Sequence, residues 1–164
     1  MKAIRAALAA ATLLSAAQAH AAEKLYLGAD LSFANEMEDC GAVFRQKGKP
    51  VDPFVLLKQK GGNLMRVRIW NDPEWTHYSN YEDVLKTVRR AHAAGLEVLL
   101  DFHYSDDWAD GDKQIVPKAW AGMTTAQQIT AVHDYTRDVL AKLNAAGEQP
   151  ELGQGGDETN PGGK

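Results

Sequence analysis

The sequence has little of what several common classes of protein need. Its one cysteine, Cys40, has no partner for a disulfide within the chain, and we expect a buried, unreactive thiol rather than an intermolecular bridge. The net charge is −4, with 18 basic and 22 acidic residues, and no basic stripe indicates a nucleic-acid partner. Beyond the first 22 residues no apolar run is long enough to cross a bilayer, so we expect a soluble mature protein with no membrane partner.

Several motifs of cofactor and metal chemistry are also missing. The turn after the first predicted strand, residues 32–36, lacks the glycines of a dinucleotide-binding loop, and the chain contains no phosphate-binding loop motif. Ser105 has no G-x-S-x-G context, which argues against a serine hydrolase. The aspartates that follow His103 have the spacing of neither an EF-hand nor an HExxH zinc motif. We therefore expect no cofactor and no metal ion.

The first 21 residues have the pattern of a secretory signal peptide. A basic start with Lys2 and Arg5 precedes a short apolar segment, and the Ala-His-Ala sequence at 19–21 fits the small-residue rule for cleavage. The apolar segment is too short for a membrane span. We expect residues 1–21 to be removed and the remaining 164 − 21 = 143 residues to be secreted, to the periplasm or the medium.

The mature sequence alternates predicted strands with predicted helices. The strands are expected at residues 25–32, 63–70, 96–104 and from 151 onward, and the helices at 52–60, 81–94 and 125–146. This order implies a parallel sheet with right-handed crossovers, either open and doubly wound or part of a closed barrel.

Polar residues at the ends of several strands favour the barrel. A complete (β/α)8 barrel needs about 200 residues or more. The fold we expect for residues 22–164 is therefore an α/β domain: the N-terminal half of a TIM barrel, truncated after its fourth strand.

The most informative stretch is residues 101–110, in which carboxylates, a histidine and aromatic rings follow an apolar strand. Such a set at a strand end suggests a sugar-binding site, although a polar loop without a function would show the same residue pattern. Side chains alternate along a strand, so Arg68, His103 and Glu158 are expected to converge at the mouth of the barrel. Glu158 could there donate a proton to a glycosidic oxygen. Taken singly, the arginine and the histidine are more often structural.

Eight segments together resemble glycoside hydrolase family 53, the secreted endo-β-1,4-galactanases. They are residues 28–32, 36–38, 63–71, 93–95, 101–106, 108–110, 117–120 and 135–140. The Asp-Phe-His-Tyr-Ser-Asp sequence at 101–106 is the most specific of them.

The resemblance implies a (β/α)8 barrel that cleaves β-1,4-galactan, a polysaccharide partner, with retention of configuration. In this family an acid/base glutamate follows an asparagine after the fourth strand, and a nucleophile glutamate ends the seventh. Glu158 aligns with the acid/base, and Asp157 replaces the asparagine that holds the sugar 2-hydroxyl. The resemblance further implies a set of substrate-binding residues: Asp30, Arg68, His103, Trp108, Trp120 and Asp157.

The last residues of the chain depart from the family pattern. Gly153 and Gly155 replace branched apolar residues, which costs packing and backbone entropy in a strand. No residue after Glu158 can supply the nucleophile, so we expect the chain as given to be inactive. Three interpretations remain open: a galactanase by descent, a non-catalytic galactan-binding half-barrel, and an incomplete chain with no function of its own.

Overall fold

The computed structural model describes residues 24–158, so the predicted signal peptide lies outside the described residues. The strands are β1 (Gly28–Asp30), β2 (Arg45–Gln46), β3 (Lys49–Pro50), β4 (Leu64–Ile69), β5 (Glu97–Phe102) and β6 (Leu152–Gly155). The helices are α1 (Ala34–Asp39), α2 (Pro53–Gln59), α3 (Tyr81–Ala93) and α4 (Thr125–Ala145), with a 3-10 turn at Lys118–Trp120.

The main sheet has four parallel strands in the order β1-β4-β5-β6, as the alternation predicts. The segment predicted as a loop between the first strand and α2 differs from expectation. It contains α1, whose six residues are too few to show a helical period, and the small antiparallel pair β2–β3. Lys47 and Gly48 both have positive φ (49° and 80°), which is the backbone of a tight two-residue hairpin turn.

The apolar core lies on one face of the sheet. Alternate residues of β4 and β5 are buried there against α3 and α4. The core residues of these four elements are Met65, Val67, Ile69, Val84, Val88, Ala91, Val98, Leu100, Phe102, Val139 and Leu143. The opposite face of β4 and β5 carries Arg66, Arg68, Asp101 and His103, which places the predicted polar residues of these two strands on one face.

The ends of the helices follow the sequence signals. The Asp52 carboxylate accepts hydrogen bonds from Phe54 N (2.8 Å) and Val55 N (3.2 Å), and Pro53 occupies the first turn of α2. Gly95 and Gly147, the predicted stops of α3 and α4, have φ of 75° and 76°, a left-handed conformation that glycine adopts without strain.

The expectation of a buried thiol at Cys40 is wrong. Cys40 is exposed and free, because it follows the last residue of α1 at the surface. Within residues 24–158, no helix is long and apolar enough to cross a membrane.

Candidate active site

The carboxyl ends of β1, β4, β5 and β6 meet on the polar side of the sheet, and Arg66 joins them. Its Nη1 donates to Asp30 Oδ2 at 2.6 Å, and its Nη2 donates to Asp157 Oδ1 at 2.8 Å and to the Asp101 carboxylate. One guanidinium therefore binds three carboxylates from three strand ends. Arg66 is not among the predicted site residues, although its position two residues before Arg68 on the same face was a usable signal.

The Asp30 carboxylate is held in its charged form. Burial acts to raise the pKa of Asp30, but hydrogen bonds from Ser32 and the ion pair with Arg66 outweigh it and hold the pKa below its ordinary value. The Ser32 backbone N–H donates to Asp30 Oδ1 at 2.8 Å. Asp30 is thus set as an acceptor beside Arg66, at the carboxyl end of β1.

His103 is buried between an indole and two carboxylates. Trp70 Nε1 donates to His103 Nδ1 at 3.3 Å. On the other side of the ring, His103 Nε2 lies 3.0 Å from Asp101 Oδ2 and 3.3 Å from Asp157 Oδ2. Neither of these two contacts has the geometry of a hydrogen bond, so Nε2 has charged neighbours but no hydrogen-bond partner among the described residues.

Arg68 has different surroundings from Arg66. Its guanidinium carbon lies 4.1 Å from the Phe33 ring centre, 4.2 Å from that of Trp108 and 4.7 Å from that of Trp70. Burial lowers the pKa of Arg68 below its ordinary value. Among the described residues it forms no ion pair, and at 2% exposure its guanidinium is enclosed by these aromatic rings.

The two candidate tryptophans occupy different environments. Trp108 is 40% exposed, and its ring lies 5.8 Å from that of Phe33 and 5.6 Å from that of Trp70. Trp120 is only 7% exposed and packs against Tyr104 and Tyr135. It contributes to the wall of a cavity of about 180 Å³ under the long loop. Trp108 therefore presents a ring to solvent at the mouth, and Trp120 mainly packs.

Glu158 lies beyond the end of β6 and is exposed. Its Oε2 accepts a hydrogen bond from Gly111 N at 3.4 Å, and no contact to Arg68 or His103 occurs within the described part of the chain. Asp157 takes the inward position instead. The alternation that predicted an inward Glu158 ends with β6, because Gly156 and Glu158 have positive φ (94° and 46°) and turn the chain.

Asp101, His103 and Asp157 offer ligand atoms within 4.8 Å of one another, a spacing that a metal ion could use. Two features of the cluster oppose metal binding. Arg66 already places a positive charge on both carboxylates. The hydrogen bond from Trp70 occupies the lone pair of Nδ1, so that nitrogen is not free to bind a metal ion. Within the described residues the cluster is thus held together by ion pairs with Arg66.

A family model, glycosyl hydrolase family 53, matches residues 26–162. The chain belongs to this family. It is 54% identical over 136 residues to the arabinogalactan endo-beta-1,4-galactanase of Cellvibrio japonicus, a match that covers 82% of this chain and 36% of the relative. It is 42% identical over 143 residues to the endo-beta-1,4-galactanase of Bacillus subtilis, with 82% of this chain and 33% of the relative covered.

Two solved structures of the family resemble the described fold. One, from a study of two fungal beta-1,4-galactanases, has a TM-score of 0.77 at 32% identity and covers 85% of this chain and 43% of its own. The Ignisphaera aggregans GH53 catalytic domain has a TM-score of 0.73 at 34% identity and covers 79% and 38%. The chain thus spans about a third of its curated relatives, and β1, β4, β5 and β6 form part of a family 53 TIM barrel.

Proposed function

We propose that this chain supplies the acid/base half of the active site of a retaining endo-β-1,4-galactanase that acts on pectic galactan. The relatives from C. japonicus and B. subtilis are named as galactanases of this kind. The observation that carries the proposal is the mouth of the sheet. There Arg68 and the exposed Trp108 ring lie beside an ordered carboxylate cluster, and Glu158 follows the last of the four strands.

The chemistry assigns each group a separate task. In retaining hydrolysis one carboxylic acid protonates the leaving oxygen, and a second carboxylate about 5–5.5 Å away attacks the anomeric carbon. Glu158 would act first as the acid and then as the base that activates water. The Trp108 ring offers a flat apolar surface to a pyranose ring, and the buried Arg68 guanidinium, 4.2 Å from the centre of the Trp108 ring, would hold the Trp108 ring in place.

The nucleophile is not among the carboxylates at the described strand ends. Asp30, Asp101 and Asp157 are all bound to Arg66, which lowers their readiness to attack carbon. Family resemblance puts the nucleophile on a seventh strand, whereas the described sheet has four. We expect the 164-residue chain alone to hydrolyse no galactan.

The test uses a chimera that joins residues 22–158 to the part of the C. japonicus relative that follows its matched region. The chimera should release new reducing ends from β-1,4-galactan, and the chain alone should not exceed a vector-only control. Glu158→Gln should lower kcat/KM of the chimera by about 10²–10⁴-fold, the usual contribution of general acid–base catalysis. The exposed Glu82→Gln on α3 is the matched control and should keep full activity. An active Glu158→Gln chimera, or an active chain alone, would contradict the proposal.

A further inference from the structure

The contact between Trp70 and His103 indicates which nitrogen of the His103 imidazole carries the proton. An indole N–H can only donate a hydrogen bond, so the nitrogen that receives it must present a lone pair. Trp70 Nε1 lies 3.3 Å from His103 Nδ1. Trp70 is 1% exposed and His103 2% exposed, so water cannot readily replace this bond. His103 Nδ1 is therefore the unprotonated nitrogen of the ring.

The other ring nitrogen must then carry the hydrogen. A neutral imidazole has one donor and one acceptor, and Nε2 lies between the carboxylates of Asp101 and Asp157. These carboxylates and the Arg66 guanidinium bound to both are the charged groups at this side of the ring. The Trp108 ring covers another side, with its centre 6.0 Å from that of the imidazole. An N–H at Nε2 suits this setting, because its positive end lies close to two negative groups, even though neither contact has the geometry of a hydrogen bond.

We propose that Trp70 is a positioning residue that holds His103 as the neutral Nε2–H tautomer. The Nε2–H of His103 then lies 3.3 Å from the Asp157 carboxylate, next to the chain segment that leads to Glu158. The contacts connect Trp70, which follows β4, to His103, which follows β5, and His103 to Asp157, which follows β6. The assignment of the tautomer does not depend on the proposed function. Only its consequence for the position of Glu158 rests on that function.

The tautomer also explains why the Asp101, His103 and Asp157 cluster should not bind a transition metal. A metal ion needs the lone pair of an imidazole nitrogen, and here one lone pair accepts from Trp70 while the other nitrogen bears a hydrogen. Zn²⁺ added to the protein should therefore leave the His103 nitrogen resonances unchanged.

The decisive experiment is nitrogen-15 NMR of the imidazole in the labelled chain. At pH 7.5 the two- and three-bond proton–nitrogen correlations should show His103 Nδ1 unprotonated and Nε2 protonated. Trp70→Phe removes the donor and should lower the Nε2–H to Nδ1–H ratio by about fivefold, the factor for one net hydrogen bond. Trp75→Phe is the matched control, because Trp75 Nε1 donates to Asp106 O and not to His103. A protonated Nδ1 in the native chain, an unchanged ratio in Trp70→Phe or a Zn²⁺-induced shift of Nε2 would overturn the proposal.

A second pair of variants keeps the test decisive if Trp70→Phe does not fold. A glutamine at position 103 can put its amide N–H near the place of Nε2, whereas an asparagine can put it only near Nδ1. His103→Gln should therefore melt at a higher temperature than His103→Asn, and equal or reversed melting temperatures would contradict an Nε2–H donor. None of these measurements needs galactan hydrolysis, so an inactive chimera would leave this inference standing, and a protonated Nδ1 would leave the role of Glu158 standing.

Discussion

Two arginines on the same face of β4 show how one residue type serves two purposes. Arg66 bonds to the carboxylates of Asp30, Asp101 and Asp157. Arg68, two residues closer to the mouth, stacks among aromatic rings with no ion pair among the described residues. The difference lies in where the guanidinium groups point. Arg66 is in register with Asp30 and bonds the carboxylates, whereas Arg68 is in register with Asp101 but stacks on the rings of Phe33 and Trp108. Arg66 therefore holds the carboxylates of three strand ends together, and Arg68 holds the aromatic rings against which it stacks.

The contrast between the two tryptophans gives a prediction at this scale. In the chimera, Trp108→Ala should weaken galactan binding by roughly two- to tenfold, the worth of one aromatic stacking contact, with little change in stability. Trp120→Ala should lower the free energy of unfolding by about 3–5 kcal/mol, because it empties a packed site between Tyr104 and Tyr135. Binding is measured by calorimetry and stability by urea unfolding. Unchanged affinity in Trp108→Ala would contradict a substrate-binding role for this residue.

At the level of elements, Arg90 joins the first three helices. From α3 its guanidinium bonds Asn35 and Glu38 of α1, and also Asp52, the residue that caps α2. Asp52 thus has two functions, because one carboxylate oxygen caps α2 while the other pairs with Arg90. Burial acts to raise the pKa of Asp52, but the hydrogen bond from Arg90 and the capping N–H groups outweigh it and lower the pKa.

Two substitutions at Asp52 separate these functions. Asp52→Ala should cost about 1–2 kcal/mol of unfolding free energy, and Asp52→Asn, which keeps a capping oxygen, less than about 1 kcal/mol because the pair with Arg90 is partly exposed. A carboxyl with a lowered folded pKa stabilises above its unfolded value of about 3.9 and loses that effect as the pH falls through the folded value. The difference between wild type and Asp52→Asn should therefore shrink between pH 7 and pH 3 in urea unfolding. A difference that stays constant with pH would refute the ion-pair contribution.

At the level of the molecule, the described residues form one sheet with a covered face and a charged face. Helices α3 and α4 bury the outer face of β4 and β5 and supply the core. The inner face, which layers of side chains fill in a complete barrel, carries the Arg66 cluster and the Arg68 stack. Within residues 24–158, β1 and β6 each pair on one side only, so both edges present free backbone groups to further strands. The arrangement suits one part of a larger barrel.

The start of the mature protein is a prediction at this scale. We propose that the chain is exported with removal of residues 1–21, and the structure at Lys24 is compatible with that site, because Lys24 already pairs with Glu97 at the start of β5. N-terminal sequencing of protein from the periplasm or medium should begin near Ala22. Replacing Leu13 and Leu14 by arginine should block export and leave Met1 in place. Exported protein that retains Met1 would contradict the proposal.

Local signals in the sequence were enough for the order of the main elements. Apolar runs, helical spacing, the Asp52-Pro53 start and the glycine stops predicted four parallel strands and three of the four helices, because each depends on residues close together in the chain. The family and the half-barrel also followed from contiguous motifs. Helix α1 and the β2–β3 hairpin were not predicted, because elements this short show no detectable periodicity in the sequence.

The arrangement of the site depended on contacts between residues far apart in the chain. The bonds from Arg66 to Asp157 and from Trp70 to His103 join residues 91 and 33 positions apart, and no local pattern encodes them. The alternation rule holds inside a strand, where the backbone is extended, and fails at Gly156, where φ becomes positive. For that reason Asp157 and Glu158 exchange their expected directions. The turn after β6 and the positive charge of Arg66 together determine that Asp157, and not Glu158, faces the cluster.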